Sequence, residues 1–211
     1  LLFGFDMAVI AGALPLVKQF FGLSPVQEGI FVSSALVGCI IGVFFTGSFI
    51  DKYGRKQAFI VASLLFLLSA IGCGFSPNYT LLILSRGIGG LGVGIASIVV
   101  PLYLAEISPS KFRGRSVTCY QLAITFGILI AYISNYFILQ LHSLPQTELW
   151  RGMFLVGAIP AILLCLGVYF IPESPRWLIV KKNLFDEARE TLKKINPLTA
   201  EKEFLTIKLS G

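Results

Sequence analysis

Gly47-Ser48-Phe49-Ile50-Asp51-Lys52-Tyr53-Gly54-Arg55-Lys56 decides how this chain folds. The apolar run before it reaches back from Ile50 to about Gly29, and the run after it continues from Gln57 to Phe75. Each is close to the roughly 20 residues that a helix needs to cross a bilayer. A short charged stretch between two such runs is the loop of a membrane hairpin, and Gly54 supplies its tight turn. Asp51 is placed to meet a helix N-terminus, and Arg55 to reach a carboxylate on a neighbouring helix.

The same alternation extends in both directions. Further apolar runs cover Leu1 to about Val17, Thr80 to Leu104, Ser116 to about Leu141, and Gly152 to Ile171. Six spans are therefore expected in an all-α membrane protein. The composition agrees, because 55% of the 211 residues are hydrophobic and only 13% charged, about half the charged share of a soluble domain. The first run is short, holds Asp6 and Pro15, and is already apolar at Leu1; its first helix is expected to be incomplete. After Pro172 the pattern changes. Residues 183–196 place Leu184, Ala188, Leu192 and Ile195 at helical spacing with charges between them. Asn183 is the expected cap, and the apolar stripe favours a pad against the membrane face over a solvated linker. The expected division is a six-helix bundle over 1–172 and a cytoplasmic helical segment over 173–211.

The net charge of +6 sits in loops between apolar spans, so it points to a membrane surface and not to nucleic acid. Lys52, Arg55, Lys56, Lys111, Arg113, Arg115 and the basic tail share one side, while the opposite loops hold Lys18 and, at a span edge, Arg151. The positive-inside rule puts the basic side, the N-terminus and residues 173–211 in the cytoplasm. The expected location is the plasma membrane, or the inner membrane of a bacterium. Cys39, Cys73, Cys119 and Cys165 lie in apolar stretches without metal or redox spacing, and read as buried packing residues. His142 stands alone and no nucleophile–base pair occurs, so neither an enzyme, a metal site nor a cofactor is expected. Asn78-Tyr79-Thr80 is a glycosylation sequon hard against the membrane.

Asp6 and Arg86 are the ionisable residues inside spans. A charge at mid-membrane costs about 3 kcal/mol on insertion scales, so it usually faces a polar cavity or a partner. Counting inward from Pro15 and Asn78, both lie about 12–14 Å below the outer surface, which allows an ion pair. Two readings remain: a proton-switchable pair, or a static one that fixes helix register. Intramembrane charges tend to mark transport paths, which favours the first. Gln121, flanked by Thr118 and Thr125, could hold sugar hydroxyls or make an interhelical hydrogen bond. Gly87-Ile88-Gly89-Gly90-Leu91-Gly92 matches a dinucleotide fingerprint but lies within an apolar helix, where that motif cannot work. Gly87, Gly90 and Gly94, with Gly38 and Gly42, are expected to give smooth faces for close helix packing.

The basic side carries three segments that each offer an acid and a base: Asp51 with Arg55, Glu106 with Arg113, and Glu173 with Arg176. Any one pair reads as an interfacial anchor, but three together suggest a cytoplasmic gate. This set resembles the sugar porter family of the major facilitator superfamily. Gly47 to Lys56 is similar to the GxxxDRxGRR signature, with Lys52 and Lys56 in place of arginines. Pro101, Tyr103, Glu106, Arg113 and Gly114 resemble the PxYxxE…RG element, and Pro172 to Leu178 reads PESPRWL. Phe3-Gly4-Phe5-Asp6 resembles the first-helix FGYD motif, and Gln121 the fifth-helix glutamine.

The resemblance implies the N-terminal half of a major facilitator fold, with inverted three-helix repeats and a C-terminal six-helix half not in this sequence. It implies that Asp6 carries a coupling proton with Arg86 as its partner, and that Phe3 and Gln121 line the substrate site. Passive facilitators of the family tend to have Asn at the Asp6 position, so the expected function is proton-coupled symport of a monosaccharide or polyol by alternating access. A passive facilitator and a transporter-like sugar sensor are the alternatives. Ile128 stands where some members have a second glutamine, and the family includes polyol and inositol carriers, so the resemblance does not select one substrate.

Overall fold

A computed structural model describes residues 1–108, 112–140, 145, 148–195 and 200–210. The described residues form helices and no strand. They are α1 (Leu2–Phe21), α2 (Pro25–Tyr53), α3 (Arg55–Gly74), α4 (Tyr79–Ile107), α5 (Arg113–Leu139), α6 (Leu149–Val156), α7 (Ala158–Val168), α8 (Pro175–Val180), α9 (Phe185–Ile195) and α10 (Ala200–Ser210). The first five helices, and α6 with α7 taken together, are long and apolar enough to cross a membrane. Gly157 separates α6 from α7, so the last span is broken near its middle.

Polar caps set boundaries that hydropathy misplaces. Ser24 Oγ accepts the Gln27 N–H while Gln27 Oε1 accepts the Ser24 N–H. This capping box starts α2 at Pro25, a full turn before its apolar run. Asn78 Oδ1 accepts the Leu81 N–H at 2.9 Å and starts α4. Pro15 does not end α1; the helix continues to Phe21 and closes at Gly22, whose φ is 62°. The depth count from Pro15 is therefore too shallow. Asn183 does not cap α9 either. Its φ of 55° is left-handed, whereas an N-cap is extended, and the helix begins at Phe185.

The interfaces follow a repeat. The most extensive contact is α2 along α4, and α1 runs along α5. In an inverted three-helix repeat each span corresponds to the one three later, so a contact between the second and fourth maps onto one between the fifth and first. Both interfaces are lined by glycine. A Cβ at Gly38 would strike the Gly87 carbonyl, and one at Gly90 the Ala35 carbonyl. A Cβ at Gly4 would strike the Ile124 carbonyl, and one at Gly127 the Leu1 carbonyl. Between apolar helices in lipid, such close backbone contact supplies the attraction that hydrophobic burial supplies in water. Large side chains such as Phe44, Phe45 and Leu163 accordingly point outward.

At the end away from the α2–α3 loop, Arg151 Nη1 donates to the carbonyls of Gly74 (3.2 Å) and Ser76 (2.8 Å), closing α3. Of the cysteines only Cys73 is fully buried. Cys39 and Cys165 are partly so, and Cys119 is exposed on α5, against the expectation of burial. The tail expected to be helical holds three helices, α8, α9 and α10. Trp177, Leu178 and Ile179 of α8 pack with Ala188 and Leu192 of α9 and with Phe204 of α10 in a small core of their own. Leu184 stays exposed.

Candidate functional site

Two polar sites stand out, one inside the bundle and one at its charged end. Inside, Arg86 of α4 donates from Nη1 to Asp6 Oδ1 of α1 at 2.9 Å and to the Asp6 carbonyl at 3.4 Å. Arg86 is 1% exposed, and its guanidinium lies 5.6 Å from the centre of the Phe154 ring. The pair anticipated from the two intramembrane charges is thus present, although α1 extends further out than its sequence suggests. Asp6 Oδ2 and Arg86 Nε are buried without a hydrogen-bond partner among protein atoms. One short bond and two orphaned polar atoms make a loosely satisfied pair, since buried charges are stable only when their remaining hydrogen-bonding capacity is met.

The second site is tightly satisfied. Arg55 of α3 binds Glu106 of α4 through two bonds, Nη2 to Oε1 at 2.7 Å and Nε to Oε2 at 2.9 Å. Its Nη1 donates to the Ile50 carbonyl. Both side chains are below one-tenth exposed. Glu173, just before α8, accepts the backbone N–H groups of Arg55 and Lys56 and so caps α3. Asp51 was the residue expected to meet a helix N-terminus. Its carboxylate instead pairs with Lys181 at 3.0 Å, and its carbonyl accepts Trp177 Nε1–H. The reason is space: Gly54 turns at φ 94°, and the room left by its missing Cβ is filled by Glu173 and Trp177. Tyr103 adds a bond from its hydroxyl to the Pro172 carbonyl. Arg176 is exposed and forms no ion pair among the described residues. Arg113 opens α5, but its side chain lies outside the described residues, as does His142.

The two residues expected at a substrate site lie on neighbouring helices, Phe3 on α1 and Gln121 on α5. Phe3 is partly buried against Phe66 and Val93 and lines an apolar cavity of about 1290 Å³ between α3, α4, α5 and α7. Gln121 is exposed on α5 and does not line that cavity; Thr125 Oγ1–H donates to its carbonyl. Sequence reading also missed Phe154, Trp177 and Lys181 as partners of these sites. An aromatic or a lysine among many carries no local signal of what it will face.

These features define a multi-pass membrane protein with the six-span N-terminal half of a major facilitator fold. The chain belongs to the sugar (and other) transporter family, whose model matches residues 1–209. It is 41% identical to the galactose-proton symporter of Escherichia coli (strain K12), over 100% of this chain and 46% of that protein. It is 42% identical to the D-xylose transporter of Levilactobacillus brevis, over 93% of this chain and 42% of that one. Among solved structures it resembles the proton:xylose symporter XylE of E. coli bound to 6-bromo-6-deoxy-D-glucose, with a TM-score of 0.90 and 35% identity. That match covers 99% of this chain and 50% of the other. The chain thus spans about half the length of the relatives it matches.

Proposed function

We propose that this chain is the N-terminal half of a proton-coupled sugar symporter that works by alternating access. The observation that carries the reading is the buried, loosely satisfied Asp6–Arg86 pair. Protonating Asp6 removes the Coulombic attraction that joins α1 to α4, which biases the two helices toward a second packing. The similarity to a galactose-proton symporter and to a xylose transporter supports a monosaccharide as cargo and a proton as the coupling ion.

In this reading the basic end faces the cytoplasm, because loop lysines and arginines concentrate there. Residues 173–211 are then a cytoplasmic pad. The Arg55–Glu106–Glu173 network is this half's share of a cytoplasmic gate, a role we also assign to Asp51, Arg113 and Arg176. Phe3 and the exposed Gln121 face the sugar once a second six-helix half closes the binding site. The partners are therefore the sugar, the proton, the bilayer and that second half.

Uptake by the complete transporter in proteoliposomes tests the reading. Asp6→Asn should abolish sugar accumulation driven by a proton gradient while leaving counterflow exchange measurable. Intact proton-driven accumulation in Asp6→Asn rules out the assignment.

A further inference from the structure

A small void beside the ion pair has no part in the reading above. Its volume is about 20 Å³, and it lies between α1, α3 and the α6–α7 break, with Phe66, Phe154 and Gly157 on its wall. Asp6 and Ser69 are the polar residues of that wall. Gly89 of α4 makes the juxtaposition possible: a Cβ there would strike Ser69 Oγ and come within 3.7 Å of Asp6 Oδ1. The hydroxyl and the carboxylate can therefore share one confined space.

Arg86 holds only one carboxylate oxygen. The other, Oδ2, is buried and accepts nothing from the protein. An ionised oxygen in such surroundings is strongly disfavoured unless something donates to it. A water needs about 10–15 Å³ and at least two polar partners, and the void meets both conditions. One hydrogen of a water can go to Asp6 Oδ2 and the other to Ser69 Oγ. A hydroxyl oxygen carries two lone pairs, so Ser69 Oγ can accept from the water.

We propose that this void is a hydration site and that Ser69 is a positioning residue for proton uptake at Asp6, acting through the bound water. The proposal rests on Asp6 being the proton carrier. A hydronium proton reaching this water passes to Oδ2, which becomes a neutral carboxyl, and the water is left unchanged. Because Oδ2 is the oxygen that Arg86 does not hold, Asp6 takes the proton before the ion pair opens. The charged or titratable groups that face Asp6 are Arg86 on α4 and Cys73 on α3. At this level α5 and α6 present Gly127, Ile128 and Phe154.

The test uses the complete transporter in detergent. Infrared difference spectra follow the Asp6 carboxyl as the band that Asp6→Asn removes. Ser69→Ala should raise its protonation midpoint by roughly one pH unit, about tenfold in proton affinity, because the ionised form loses a donor. Ser63→Ala, whose hydroxyl bonds the Ile60 carbonyl of its own helix, should leave the midpoint in place. Hydroxyl-radical footprinting examines the water directly: Phe154, 3% exposed, should be labelled in the parent protein and lose that label in Ser69→Ala. An unshifted midpoint in Ser69→Ala, or an unlabelled Phe154 in the parent, overturns the proposal. A missing Asp6 band overturns the proton-carrier reading instead, and footprinting still decides the hydration site.

Discussion

Glu173 Oε1 accepts the backbone N–H of Arg55 at 2.9 Å, so the first turn of α3 is capped by a carboxylate 118 residues later in the chain. A second oxygen takes the Lys56 N–H at 3.1 Å. The helix dipole and the orphan N–H groups both favour negative charge at that point. This joins the end of the last span to the α2–α3 turn and fixes where α8 starts.

Glu173→Ala should destabilise the protein by about 2 kcal/mol, in the range of hydrogen bonds to charged groups. Thermal unfolding of the purified protein would read this as a lower Tm. Glu173→Gln keeps an acceptor without the charge and should fall between the two. An unchanged Tm for Glu173→Ala would mean that the cap contributes nothing.

The two ion pairs near that cap should behave differently. Arg55–Glu106 is buried and bidentate, so Arg55→Ala leaves a buried carboxylate unpaired and should cost about 3–5 kcal/mol. Asp51–Lys181 is about half exposed on both sides. Lys181→Ala should change stability by less than about 1 kcal/mol. Denaturation at low and high salt separates them further, because only the exposed pair is strongly screened. Equal losses for the two variants would contradict the burial argument.

For the intramembrane pair, Arg86→Ala should cost about 3–5 kcal/mol, because the partly buried Asp6 is left without its partner. Adding Asp6→Asn in the same chain should recover most of the loss. The double-mutant cycle then gives a large coupling energy. Strictly additive effects would show that the two residues do not interact.

Gly38→Ala should cost about 1–3 kcal/mol, the usual range for overpacking, because the obstacle is the Gly87 backbone and cannot rotate away. Gly47→Ala, on the same helix but with nothing within 4 Å of the new methyl, should be neutral or slightly stabilising. Matching Tm values for the two alanine variants would remove close approach as the reason for glycine along α2.

Much of this was legible along the chain. Six apolar runs, the charged turn at 51–56 and the single acid and single arginine within spans are all local patterns. A bilayer needs a minimum apolar length and penalises each charge separately, so each pattern can be read without knowing its neighbours. The α2–α4 glycine faces were legible for the same reason, since helical spacing alone lines them up.

Helix ends and partners were not legible in this way. Pro15 looked like the outer end of α1 because proline removes a helical N–H, yet α1 passes through it. Asp51 looked like the cap of α3, but the space beside Gly54 belongs to Glu173. Gln121 carries the right chemistry for a sugar, yet its exposure on α5 depends on packing that no local pattern encodes. Hydropathy along the chain sets the number of spans and marks the few polar residues that need a partner. Which partner each one finds follows from the packing in three dimensions, because a buried polar group is satisfied by whatever distant helices bring within about 3 Å of it. That is why Asp6 could be matched with Arg86 in advance, while the orphaned Oδ2 and the void it shares with Ser69 could not.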